Sequence, residues 1–178
     1  MRRKDESMKK AKAEVVFQVG MVVRDAEAKV AALVRCFDID ESTIVRKNTK
    51  DMAEAGSFSD CRYLGRPAEF YIKTIRLSFG GIDFEYVEPL NKDGGDPFSN
   101  WLLEHGEGIH HINVKFADNG VLRENLTELG IPELHSAKMR DKGYAFYDLR
   151  ETFGFLAEVG EMVVGPMAEA YYASKEHP

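Results

Sequence analysis

Apolar and polar positions along the chain fall into a strand-like period, then a helical one, and the order then starts again. Residues 14–23, EVVFQVGMVV, are β-branched and apolar and predict a strand. Asp25 stands where a helix cap belongs, and 26–37, AEAKVAALVRCF, carries Val30, Leu33, Val34 and Phe37 at helical spacing. Residues 42–47, STIVRK, predict a short strand, and the polar, irregular stretch 48–67 predicts a loop. A strand over 68–79, the turn Gly80-Gly81 and a strand over 82–88 follow, closed by Pro89. NKDGGDP then leads into PFSNWLLEH, a short helix with Pro97 at its start.

The second round begins with IHHINVKF, a strand. Asp118 lies seven residues after His111, as Asp25 lies seven after Gln18. A helix over 119–129 ends at Gly130, strands follow over 133–140 and 144–149, and Gly154 opens a last strand, FGFLAEVGE. Residues 165–176 predict a terminal helix. The two halves end alike: GIDFE (81–85) and GFLAE (154–158) both read Gly-x-x-x-Glu. Two echoes in the same order predict an internal duplication. The predicted organisation is a flexible N-terminus (1–13), a first module (14–90), a connector with a short helix (91–108), a second module (109–162) and a C-terminal helix (163–178). The first module holds about 20 more residues between its helix and its last strand, as a loop insertion would.

The paired histidines of GEGIHHINV raise the question of chemistry. In a regular strand neighbours point to opposite faces, so His110 shares a face with Ile112, Val114 and Phe116, and His111 with Asn113 and Lys115. The first face suits packing. The second is polar, which suits a cavity wall, so His111 is the candidate for chemistry. In the duplicated register Gln18 corresponds to His111, and Glu85 to Glu158. Brought together about a pseudo-twofold axis, one imidazole and three oxygen donors suit a single divalent ion such as Zn, Ni, Co, Mn or Fe. Tyr144 and Phe146 share a parity on a neighbouring strand, as core aromatics or as pocket lining.

Composition narrows the partners. The chain has 178 residues, 44% hydrophobic and 30% charged, with a net charge of −6, which argues against general nucleic-acid binding. No run of 18 apolar residues is present, so no membrane span is expected. The basic start MRRKDESMKKAK lacks the apolar stretch of a secretory signal. Cys36 and Cys61, without a CxxC, suit a reducing cytoplasm, and Cys36 is expected to pack within its helix.

QVGMVVRDAEAKVAALVRCF, GGIDFEYVEP, PFSNWLLEHGEGIHHINVKF and YAFYDLRETFGFLAEV together resemble the vicinal oxygen chelate superfamily, over residues 14 to 162. That superfamily includes glyoxalase I, methylmalonyl-CoA epimerase, ring-cleaving dioxygenases and bleomycin-resistance proteins. The resemblance implies an α+β fold of two βαβββ modules forming a cupped mixed sheet around one metal, with Gln18, Glu85, His111 and Glu158 as ligands. The Glu-x-x-Glu-Pro stretch, the short helix and HGEGIHHI are most similar to the epimerase branch, whereas the order Gln, Glu, His, Glu looks like the ligand set of glyoxalase I. The leading expectation is therefore a lyase or isomerase of the glyoxalase I (lactoylglutathione lyase) type. It would transfer a proton next to a metal-bound carbonyl and stabilise the enediolate, with Glu158 as first choice of base and Glu85 as second. The alternatives are an epimerase of methylmalonyl-CoA or a related acyl thioester, and a non-catalytic small-molecule binding protein of the bleomycin-resistance type. A dioxygenase is disfavoured because such iron sites prefer two histidines and one carboxylate. The implied partner is a small-molecule substrate, with no nucleic acid and no membrane, in a homodimer.

Overall fold

The computed structural model describes residues 8–160 and 165–176. Among the described residues ten strands form one mixed, curled sheet: β1 (Ala13–Val22), β2 (Val45–Asn48), β3 (Phe58–Tyr63), β4 (Arg66–Pro67), β5 (Ile72–Phe79), β6 (Ile82–Pro89), β7 (Gly108–Phe116), β8 (Glu133–Met139), β9 (Lys142–Asp148) and β10 (Leu156–Gly160). The helices are α1 (Ala26–Cys36), α2 (Thr49–Glu54), α3 (Pro97–His105), α4 (Asn119–Glu128), α5 (Arg150–Phe153) and α6 (Pro166–Glu176). Residues 161–164, including the end of the predicted last strand, lie outside the described residues, as do 1–7 of the predicted N-terminal segment and 177–178 of the predicted C-terminal one. No helix among the described residues is long and apolar enough to cross a membrane.

Strand order shows the duplication. It reads β2-β5-β6-β1 on one side and β7-β10-β9-β8 on the other, joined by the antiparallel pair β1–β7. In each half the first strand runs parallel to the last (β1 with β6, β7 with β10), and the remaining neighbours are antiparallel. The helix after each first strand starts the same way: Asp25 accepts from the Ala28 N–H at 2.9 Å, and Asp118 from the Gly120 N–H at 2.8 Å. Each helix then covers the outer face of its half. Val23, Ala26 and Val30 pack with Ile75, Leu77 and Tyr86, while Leu122 and Leu126 pack with Ala145, Tyr147, Ala157 and Val159. This is the α+β vicinal oxygen chelate fold, two βαβββ modules side by side in a cupped sheet.

Three local expectations are corrected. Residues 48–67 are not a loop: Asn48 caps α2 by accepting from the Lys50 N–H, and the chain then forms β3 and β4. Strand β3 pairs with β8 of the other half, a non-local partner that local propensity does not report. The insertion thus leaves β2 at one edge of the sheet and joins the far edge, crossing the open side of the cup. The strand expected from residue 68 begins at Ile72, after Phe70 has entered the inner core. Cys36 is exposed rather than packed, because α1 buries Ala26 and Val30 on its other side.

Candidate metal centre

Inward-facing positions build the site by register. On β6, Glu85 lies opposite Gly20 of β1, two residues past Gln18. On β10, Glu158 lies opposite Asn113 of β7, two residues past His111. Across the central pair, Gln18 faces Asn113 and Gly20 faces His111. The same two-residue offset in all three pairings is what a pseudo-twofold axis between β1 and β7 produces. It brings Gln18, Glu85, His111 and Glu158 to one point.

Gln18 Nε2 donates to Glu85 Oε2 at 2.7 Å and lies 3.4 Å from His111 Nε2. His111 Nε2 lies 3.7 Å from Glu85 Oε2 and 3.3 Å from Glu158 Oε2. The ligand atoms of Glu85, His111 and Glu158 all fall within 4.8 Å of one another. Bonds of about 2.1 Å to one ion place neighbouring ligand atoms roughly 3.0–3.5 Å apart, so the spacing fits a divalent ion. A turn of the Gln18 carboxamide about its last torsion puts its oxygen where Nε2 stands, which makes it a fourth oxygen or nitrogen donor of the set. His111 is 1% exposed and Gln18 and Glu158 are each 5% exposed. Glu158 Oε2 is buried with no hydrogen-bond partner. A carboxylate oxygen left so is costly without a cation, and a divalent ion would remove that cost. Burial, and next the charge of Glu158, push the Glu85 carboxyl above its ordinary range.

Strand alternation misassigned His110. Between Gly20 and Met21, β1 advances one residue while β7 advances two, from His111 to Ile109. The extra residue is His110, and this bulge turns it inward beside its neighbour, where it packs on Phe98 and Trp101 of α3 rather than under α4. Ile109 is 67% exposed and His110 only 3%. His110 Nδ1 lies 3.0 Å from His111 Nδ1. Burial, and then the neighbouring His111 and His135, push the His110 pKa well below its ordinary value, so the ring is neutral. An ion bound at His111 Nε2 would leave the ring proton on Nδ1, which would then donate to the bare Nδ1 of His110. His110 thus holds the orientation of His111.

Two further features escaped the sequence reading. A Cβ on Gly20 would stand 1.9 Å from His111 Cε1, so the glycine makes the space that the ring occupies. The spacing Gln-x-Gly was the available signal, since glycine inside a strand marks a close approach. His135 is fully buried on β8, with neither ring nitrogen partnered, and stacks on Phe146 at 4.1 Å. Beside the cluster is a cavity of about 40 Å³, lined among others by Lys47, Arg76, Tyr144 and Phe146. Tyr144 and Phe146 therefore belong both to the inner core and to the cavity wall.

The scan against protein-family models and the search of curated proteins both find no match. Solved structures do match. Methylmalonyl-CoA epimerase from Mycobacterium tuberculosis aligns over 89% of this chain and 94% of its own, with a TM-score of 0.57 and 12% identity. A single-residue variant of Streptomyces coelicolor methylmalonyl-CoA epimerase, in complex with 2-nitronate-propionyl-CoA, aligns over 84% and 97%, with a TM-score of 0.53 and 15% identity. The hypothetical protein BH1468 from Bacillus halodurans C-125 aligns over 86% and 96%, with a TM-score of 0.55 and 20% identity. At these identities the likeness is one of fold.

Proposed function

We propose that this chain is a divalent-metal-dependent enzyme that moves a proton on a carbon next to a carbonyl, and that its reaction is the epimerisation of a 2-substituted acyl thioester. The observation that carries the proposal is the convergence of Glu85, His111 and Glu158, with Gln18 beside them, around a buried carboxylate oxygen that has no hydrogen-bond partner. Gln18, Glu85, His111 and Glu158 hold the ion. A bound divalent ion supplies a Lewis acid that makes the neighbouring C–H acidic. Epimerisation takes a proton from one face of a carbon and returns one to the other face, so it needs a proton carrier on each side. Glu158 and Glu85 come from opposite halves of the sheet and meet that need, with Glu158 the base and Glu85 its counterpart.

The structural neighbours support the epimerase reading over the glyoxalase I expectation, since solved structures of this fold include epimerases bound to CoA compounds. The glyoxalase I type remains the second reading, favoured by the ligand order Gln18, Glu85, His111, Glu158. Retention of all four ligand-type residues argues against a binding protein without turnover. The chain acts on a small molecule, in the cytoplasm, as a homodimer. Incubating metal-loaded protein in deuterated water with methylmalonyl-CoA tests the chemistry. One deuterium should enter at C2, and a chelator should abolish the exchange. Exchange into a hemithioacetal product and none into acyl thioesters would transfer the chain to the glyoxalase type. Exchange into neither, with metal bound, would reject both.

A further inference from the structure

The inner wall beside the cluster carries two cations that metal binding does not use. Lys47 on β2 and Arg76 on β5 line the same cavity as Glu85, His111 and Glu158. Arg76 is 5% exposed, lies opposite Glu85 in register, and its Nε is buried with no hydrogen-bond partner. The Lys47 ammonium has the Met139 thioether as its hydrogen-bond partner, at 3.8 Å. Among the described residues neither cation forms an ion pair. The buried Asp83 carboxylate stands near Arg76 but makes no ion pair with it, and inward cations without an ion-pair partner are costly, so sites that keep them have a use for them. Burial, with Arg76 adding to it, lowers the Lys47 pKa.

Charge and symmetry point the same way. The carboxylates on this inner face are Asp83, Glu85 and Glu158, and the Ser78 hydroxyl donates to Asp83 at 2.8 Å. With a divalent ion in place, Lys47, Arg76 and the ion exceed those three carboxylates by one positive charge. The other half of the sheet lacks the pair. Where Arg76 faces Glu85, Phe146 faces Glu158, and where Lys47 faces Thr74, Ala137 faces Tyr144. One wall is cationic and its counterpart is apolar.

We propose that Lys47 and Arg76 form a carboxylate-binding wall beside the metal centre, so that the substrate carries an acid group next to its reacting carbon. The naming of a thioester rests on the reading above, but the wall itself does not. The acid lies toward the first half of the sheet, and the apolar substituent lies against Phe146 and Tyr144. Lys47 and Arg76 thus decide which way the substrate enters, and with it which face of the carbon meets Glu158.

Malonate is the probe, titrated by calorimetry into zinc-loaded and metal-free protein, with metal content measured first. Lys47→Met and Arg76→Met should each weaken malonate binding roughly tenfold or more, the scale of a lost charge-assisted hydrogen bond. Lys73→Met, at an exposed lysine paired with Glu88, should leave it unchanged. Arg76→Gln serves if Arg76→Met fails to fold. Equal malonate affinity in folded wild type and variants would overturn the wall, as would no malonate binding by wild type in either form. Malonate binding that depends on Lys47 in a protein that takes up no metal would keep the wall and remove the metal reading.

Discussion

The two halves of the sheet share strand order, helix placement and helix caps, yet their inner walls differ. The first half presents Lys47, Thr74, Arg76, Asp83 and Glu85, and the second Ala137, Tyr144, Phe146, Leu156 and Glu158. Only the carboxylates Glu85 and Glu158 match. The edges differ as well. Val45 on β2 faces Arg76 and is 37% exposed, whereas His135 on β8 faces Phe146 and is fully buried. The difference arises because β2 ends the sheet while β3, from the insertion, covers β8. The shared plan of the two halves makes the candidate metal centre, since their symmetry converges Gln18, Glu85, His111 and Glu158. Divergence of the walls then gives the two sides of the cluster different chemistry.

The largest expected effect breaks the shared part. His111→Ala should lower divalent-metal affinity by about 100-fold or more, past the roughly 10–100-fold scale for losing an outer partner. Competition with a chromophoric chelator measures it. Phe146→Ala removes the apolar wall, where Phe98, His111, His135 and Tyr144 all pack on that ring. It should cost about 3–5 kcal/mol in chemical denaturation, without loss of the ligand set. Gly20→Ala acts at the symmetry axis. Its Cβ drives the His111 ring from its place, so metal affinity should fall along with about 1–3 kcal/mol of stability.

His110→Phe sharpens the comparison further. It keeps the bulk but removes the acceptor for His111 Nδ1–H, and should weaken metal binding by about tenfold. The regular-strand reading of His110 as a packing residue would instead leave affinity unchanged. The smallest effect concerns the thiols. Burial, with the charges of Asp60 and Glu69 adding to it, raises the Cys61 thiol to about 11, whereas Cys36 is exposed. Alkylation at pH 8, followed by mass spectrometry, should label Cys36 well before Cys61.

Much of this was legible in the sequence. Periodicity located β1, α1, the β5–β6 hairpin, α3, β7 and α4, and Asp25 and Asp118 marked the two equivalent caps. The repeat spacing picked out Gln18, Glu85, His111 and Glu158, which the structure brings together. What was hidden is non-local. Strand β3 exists because β8 offers it an edge, and α2 is too short for periodicity to register. The bulge at His110 depends on how β7 meets β1, which no single strand reveals. Lys47 and Arg76 carry no signal of their own in the strand pattern, and it is the curl of the sheet that puts them on the cavity wall.

The central claim is that one ion is held by one imidazole and three oxygen donors, drawn equally from the two halves. X-ray absorption spectroscopy of the zinc- or cobalt-loaded protein tests it most directly. The account predicts one ion per chain, a first shell of nitrogen and oxygen near roughly 2.1 Å, and outer-shell scattering from a single imidazole. Scattering from two imidazoles, a sulfur ligand, or no stoichiometric ion would contradict it.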